Sequence, residues 1–213
     1  MMKLFVFVAA GVAWLFHNFF SEESKTKRKV SNFGRIPISR FVNGEVAKIS
    51  GKAVSSGAGV VSPVSGLGGV YYRISVIENY SKSEIVHLKK KSHDFFLIKD
   101  DTGYAMIRVR NAEESYSNET DYYSGFNTIP PANPAQFLKD NYIVSKRGFE
   151  GNTDLVIREF LLKEGDDIAV IGKGEWMETT ALGLNFPVSR VLVMSNEPGG
   201  SIYLSNHIRA LST

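Results

Sequence analysis

The sequence predicts a mostly β fold: a single small β-barrel domain with long loops and one or two short helices, preceded by an N-terminal membrane helix. Three observations predict it. From Gly34 to Met194 apolar residues recur largely at every second position in short runs, which is the period of a strand. The runs are punctuated by glycine, proline and aspartate, most clearly at Lys99-Asp100-Asp101-Thr102-Gly103, a hairpin turn. Finally, Leu4 to Phe20 contains no Asp, Glu, Lys or Arg.

Composition bounds the rest. The chain has 213 residues, a length that all-β domains reach as one unit, so one domain plus a tail is expected. Hydrophobic residues at 43% and charged residues at 22% suffice for a buried core and argue against general disorder. With 25 basic against 22 acidic residues there is no broad positive field of the kind nucleic acid selects. No cysteine is present, which excludes disulfides, thiolate catalysis and cysteine zinc sites.

Taken in order, the apolar run Leu4–Phe20 would span about 25 Å as a helix, slightly under the ~30 Å hydrocarbon core. It has no polar face to meet water, so it is not a core helix. A cleaved signal is the rival, but His17 to Glu23 offers bulky and acidic residues where a small-x-small site is needed. We therefore read residues 1–20 as a transmembrane anchor. Lys25, Lys27, Arg28 and Lys29 follow it and outweigh Lys3, which places the bulk of the chain in the cytoplasm, anchored once in the inner membrane. The same four residues are candidate contacts to anionic headgroups, or else a solvated stop-transfer flank. Residues 21–33 are polar and are expected to form a flexible stalk, with the folded domain over 34–213.

Within the domain, Ile36 to Phe41 alternates around Pro37 and is expected as a leading edge strand. Glu45 to Val54 is a second strand, which Gly51 bends or bulges. Ser55 to Gly59 is turn material, Pro63 forces an extended corner, and Val70 to Tyr80 is a well-patterned strand. Ser81 to His93 reads as a basic hairpin or protruding loop. Its Lys89, Lys90 and Lys91 either contact phosphates and headgroups or, as we prefer, decorate an edge strand against aggregation. Phe95–Ile98 and Tyr104–Arg110 form the central hairpin. Glu113 to Pro131 is a long acidic insertion of low regularity, expected as a mobile surface loop. Asn133-Pro134 should cap and open a short helix through Asn141. Asp154 to Leu162 is expected to make a hairpin with Ile168 to Gly172, which closes the sheet. Val188 to Met194 is the final long strand, and Ser205 caps a last turn through Ala210.

The residue types that carry chemistry are present without the spacing that chemistry needs. Gly57, Gly59, Gly66, Gly68 and Gly69 lack a Gly-Lys-Ser/Thr element and a following helix, so they are turn residues and not a phosphate cradle. Asp100-Asp101 and Asp166-Asp167 sit beside glycine in turns, where aspartate serves the backbone. His93 with Asp94 or Asp100 has no nucleophile motif. Asn118-Glu119-Thr120 matches a glycosylation acceptor but lies in a chain read as cytoplasmic.

One ordered set of residues carries a resemblance. It comprises Gly44-x-Val46, Ile49-x-Gly51-x-Ala53, Ser62-Pro63-Val64-Ser65-Gly66, Val70-Tyr71-Tyr72-Arg73, Phe96-x-Ile98-x-Asp100-x-x-Gly103, and Glu159-x-x-Leu162-x-x-Gly165-Asp166-x-Ile168-x-Val170-x-Gly172. The set, over about Phe41 to Gly174, resembles the GIDE or "beside a membrane" (BAM) domain of mitochondrial ubiquitin ligases and prokaryotic membrane proteins. The chain departs from that family in lacking a cysteine before Tyr71, where Gly69 stands, and in having neither a RING nor a second membrane helix. The resemblance implies a membrane-proximal, non-enzymatic binding or scaffolding module with a protein partner, no cofactor, no metal and no small-molecule substrate. The strand order is also similar to an OB-like barrel, which suggests an alternative: binding single-stranded nucleic acid by stacking on Tyr71, Tyr72, Tyr80 or Phe95, with Lys89 to Lys91 along the phosphates. The weak net charge and the anchor weigh against it.

Overall fold

The computed structural model describes residues 22–55, 57, 59–80, 83–125, 128–143, 154–183, 187–196 and 202–211. The anchor expected over 1–20 lies outside them, and among the described residues no helix is long and apolar enough to cross a membrane. The elements are α1 (Glu22–Asn32), β1 (Val46–Val54), β2 (Val60–Val61), β3 (Gly68–Gly69), β4 (Tyr71–Tyr80), β5 (Ser83–Lys91), β6 (Phe95–Asp100), β7 (Gly103–Arg108), β8 (Ala112–Ser115), β9 (Thr120–Ser124), α2 (Ala132–Asp140), β10 (Leu155–Leu162), β11 (Asp167–Glu178), β12 (Arg190–Ser195), β13 (Ile202–Ser205) and α3 (Ile208–Leu211). The fold is mostly β, as its alternating pattern requires.

Two sheets dominate. In the larger, β1, β6, β7, β12 and β11 follow one another, and β11 pairs back onto β1, so these strands form a partly closed ring. The β6/β7 hairpin lies where its Asp-Thr-Gly turn predicts, and β7 meets β12 in parallel. β13 and β8 extend this sheet from β11. Ile49, Phe96, Ile98, Ala105, Ile107, Ile168, Val170, Leu192 and Met194 fill the ring. β1 changes partner along its length, from β11 over Val46–Lys52 to β6 over Lys52–Val54. Gly51 sits at that change. A Cβ there would lie 2.4 Å from the Lys99 carbonyl oxygen, so glycine permits the backbones to touch. The register through Gly51 is unbroken, so its role is close approach and not the expected bulge.

The second sheet, ordered β5-β4-β10-β9, is assembled from the two long connections of the ring. The β1-to-β6 connection supplies β4 and β5, and the β7-to-β11 connection supplies β9 and β10. β4 and β10 zip these connections together from Tyr71↔Leu162 to Glu78↔Leu155. β10 and β11 therefore do not form the expected hairpin. Seven of the eight β10 positions are buried, because one face reaches the ring core through Phe160 and Leu162 and the other meets Leu155, Ile157 and Leu161 of a separate core. A strand apolar on both faces is covered on both sides, and a neighbour in sequence need not be the neighbour in space.

Other expectations are corrected. Residues 22–32 are a helix, not a flexible stalk: Thr26 and Val30 are fully buried, Val30 against Ala169, Ile171 and Ala210. Ile36–Phe41 is not a strand; a single helical turn spans Ile38–Arg40, with only Arg35 bridging to Lys48. The acidic insertion contributes β8 and β9 and buries Tyr116, so it is part of the fold and not a surface loop. α2 begins at Ala132, which leaves Asn133 inside the helix and without a side-chain cap bond. Of the alternatives for the basic segment, the structure contains the hairpin and edge strand and not the protruding loop: β5 pairs with β4 at the edge of the second sheet. Ser205 does accept the His207 amide ahead of α3 at 3.3 Å.

Candidate binding cleft

The second sheet diverges from the ring, and the divergence makes the site. On one face of β4 and β10, Tyr71, Phe160 and Leu162 are buried in the ring core. Two residues further along each strand, that same face carries Arg73 and Arg158. A cleft of about 630 Å³ opens there, walled by Ser75, Ile77, Val86 and Lys89 on the sheet side and by Glu23, Thr26 and Glu113 of α1 and β8 on the other.

The cleft floor is a network of paired charges. Glu114, whose side chain is 3% exposed, accepts from Arg73 Nη1 at 3.1 Å, Lys91 Nζ at 2.8 Å and the Tyr71 hydroxyl at 3.2 Å. Lys91 also donates to the Val109 carbonyl at 2.5 Å. Arg73 pairs with Glu119 as well, and Arg158 clasps Asp121 through Nε at 2.8 Å and Nη2 at 2.9 Å. The Arg73 guanidinium stands 5.0 Å from the Tyr116 ring centre, and Tyr116 stacks on Phe160. Burial on this scale demands such pairing, since an isolated charge would be several kcal/mol too costly.

The electrostatics follow. Burial opposes the Arg73 charge, but Glu114, Tyr116 and Glu119 reverse that and raise its pKa. The hydrogen bond to Asp121 raises Arg158. Burial lifts Glu119 above the usual carboxylate value despite Arg73 beside it, and burial followed by Glu114 drives the Tyr71 and Tyr116 phenols well up. The Tyr116 hydroxyl and Arg73 Nε are buried without a partner among the described residues.

A second buried carboxylate lies on the opposite face of β10. Glu159, 3% exposed, accepts from the hydroxyls of Ser62, Ser65 and Tyr122. The Ser-Pro-Val-Ser-Gly corner is thereby bolted to the second sheet. Gly69, just beyond it, has no room for a side chain: a Cβ would lie 2.7 Å from the Leu162 carbonyl oxygen.

The lysine triplet is split by the strand period. Lys91 turns inward to Glu114, Lys90 lies 5.7 Å from the Phe137 ring centre on the other face, and Lys89 lines the cleft wall. Lys25, Lys27, Arg28 and Lys29 are exposed on α1, with Lys29 over the Tyr203 ring at 3.7 Å and Arg28 donating to the Ser24 carbonyl. The structure therefore separates the triplet, and it does not array it with aromatic platforms. Tyr71 is buried in the ring core and Tyr72 in the second core, while Phe95 is half-buried. Asp100 accepts from the amides of Ile38, Thr102 and Gly103, which leaves it a turn-former and not a partner for His93.

Sequence reasoning did not single out Arg73, Glu114, Glu119, Arg158 and Glu159 as a constellation. The signal was a lone charge inside an otherwise apolar strand, as at Arg73 in Val70–Val76 and at Arg158-Glu159 in Leu155–Leu162. Among the described residues no group of acidic and histidine side chains has the arrangement of a metal site. Comparison with protein-family models, curated proteins and solved structures found no match to this chain.

Proposed function

We propose that this chain is a non-enzymatic binding or scaffolding module, held once at the cytoplasmic face of an inner membrane, with the cleft and its β5 rim as the surface that meets a protein partner. The observation that carries this reading is the position of α1. The apolar run Leu4–Phe20 leads into that helix, and Glu23 and Thr26 of its first turns form a wall of the cleft. A chain entering lipid just before α1 brings the cleft close to the membrane surface. The paired charges of the floor suit recognition by a rigid surface: Arg73, Lys91 and Arg158 are already neutralised by Glu114, Glu119 and Asp121. The residues behind the GIDE/BAM resemblance act here in folding, Gly51 at the ring seam and Ser62, Ser65 and Glu159 at the bolted corner. Fractionation of cells expressing the full chain is the test. Retention in the membrane pellet at low salt without detergent is expected, and recovery in the soluble fraction overturns the anchor.

A second reading has one observation in its favour. Numbered alone, the ring strands run 1-2-3-5-4 and return to 1, with 3 and 5 parallel, the arrangement of an OB-like barrel. Such barrels bind single strands across strands 2 and 3, here β6 and β7. The outward residues of that face, Leu97 and Met106, are instead buried with Val191 and Val193 in an apolar cluster. Titration of the detergent-solubilised chain with a labelled oligonucleotide at ~50 and ~200 mM salt discriminates: tight binding that falls steeply with salt would favour this reading over the first.

A further inference from the structure

Helices α1 and α3 form a layer over the outside of the larger sheet, where α1 lies against β8, β13 and α3. Val30 of α1 and Ala210 of α3 meet in one apolar cluster with Ala169 and Ile171 of β11, and both are fully buried. A helix turns about 100° per residue, so the residue two positions before a buried contact points away from it. On α1 that residue is Arg28, and on α3 it is Ile208. Both therefore face outward from the same layer, and Ile208 is 83% exposed.

The charge of this outward surface is one-sided. Lys25, Lys27, Arg28 and Lys29 are exposed on α1, and Arg209 is exposed on α3. The glutamates of α1 occupy its first two positions, and Glu23 belongs to the cleft wall. A helix of 11 residues is marginal alone in water, so its docking through Thr26 and Val30 is what gives the basic surface a fixed shape. Lys29 over the Tyr203 ring of β13 adds to that hold. The cations are thus carried by a packed element of the domain and not by a loose tether.

We infer that the outer surface of the α1/α3 layer seats on anionic phospholipid headgroups, with α1 lying along the membrane plane and Ile208 entering the headgroup layer. Two observations select lipid as the occupant. α1 begins two residues after Phe20, where the apolar run ends, so a chain that enters lipid there leaves α1 within reach of the headgroups. Several cations around an exposed aliphatic side chain are also the complement of an anionic surface over hydrocarbon. The inference rests on the anchoring reading and deepens it: the anchor keeps the domain near the membrane, and this surface fixes which side faces it. The cleft, walled by Glu23 of the same helix, is then held in one orientation beside the membrane.

The chain has no cysteine, so Ile208→Cys in the full-length protein takes a single environment-sensitive bimane label. The labelled chain is reconstituted in phosphatidylcholine vesicles with or without phosphatidylglycerol. A blue shift and protection from aqueous iodide are expected in the anionic vesicles alone, and ~1 M salt, which shortens the Debye length to about 3 Å, should reverse both. Val61→Cys, on the β2/β3 hairpin beside the core on the far face of the second sheet, should show neither. Each basic residue near an anionic surface contributes about fivefold, so Lys25→Gln, Lys27→Gln and Arg28→Gln together should lower the docked-to-undocked ratio about a hundredfold. All three side chains are exposed, and an unchanged melting temperature checks that the fold survives. A spectrum identical in the two vesicle types, from chains that float with both, overturns the headgroup surface and leaves the anchor standing. Chains that float with the anionic vesicles alone uphold the surface without the anchor, and chains that float with neither overturn both.

Discussion

The ring and the second sheet solve the same problem in different ways. Each ring strand finds a partner on both sides because β11 returns to β1, so apolar filling alone completes it. Among the described residues the second sheet does not close. Its outer strands β5 and β9 have no further strand partner there, one face is largely apolar around the buried Glu159, and the other is held to α1 and β8 across a floor of paired charges. Closure makes a scaffold with an apolar filling, whereas the open sheet beside it leaves a polar surface.

The largest expected effect comes from removing the carboxylate shared across that floor. Glu114→Leu leaves Lys91 without a carboxylate and Arg73 with Glu119 alone, and should cost about 3–5 kcal/mol in a urea unfolding curve. Hydrogen exchange should show the loss in β4, β5 and β10 while β6 and β7 stay protected; equal loss in both sheets would break the comparison. Next is Gly51→Ala, which pushes a methyl into the Lys99 carbonyl at the ring seam and should cost about 1–3 kcal/mol, with exchange rising first in β1 and β6. A smaller effect attaches to Asp100. Burial raises its carboxyl pKa, but the hydrogen bonds from Ile38, Thr102 and Gly103 outweigh burial and hold it below the ordinary value of 3.8. The folded value is thus the lower one, so this stabilisation is fully present above the unfolded value and is lost as pH falls through the folded value. Asp100→Asn should cost about 1 kcal/mol at neutral pH and flatten the stability slope below about pH 4; an unchanged slope would show that the turn does not carry the acid sensitivity of the ring. Lys52→Ala, which deletes an exposed pair with Asp167, should change stability by less than about 0.5 kcal/mol.

Much of the fold was legible locally. The alternation in Val46–Val54 and Tyr71–Tyr80, and Asp100-x-Thr102-Gly103 between two apolar runs, named strands and a hairpin that the structure contains. Where the reading failed, the missing information was distant. Residues 22–32 look like a polar stalk until Val30 meets Ala169 and Ile171, and the acidic stretch around Glu114 looks like a loop until Arg73 and Lys91 arrive from another connection.

The sequence by itself therefore determined that the chain is mostly β, where several of its strands lie, which face of those strands is apolar, and that one apolar run precedes the domain. Tertiary structure alone decided that β10 pairs with β4 instead of β11, that the lysines of Lys89–Lys91 part company, and that Glu114 and Glu159 are buried. The physical reason is that side-chain period is a local property of the backbone, whereas partner choice and the burial of a charge depend on surfaces brought together from remote parts of the chain.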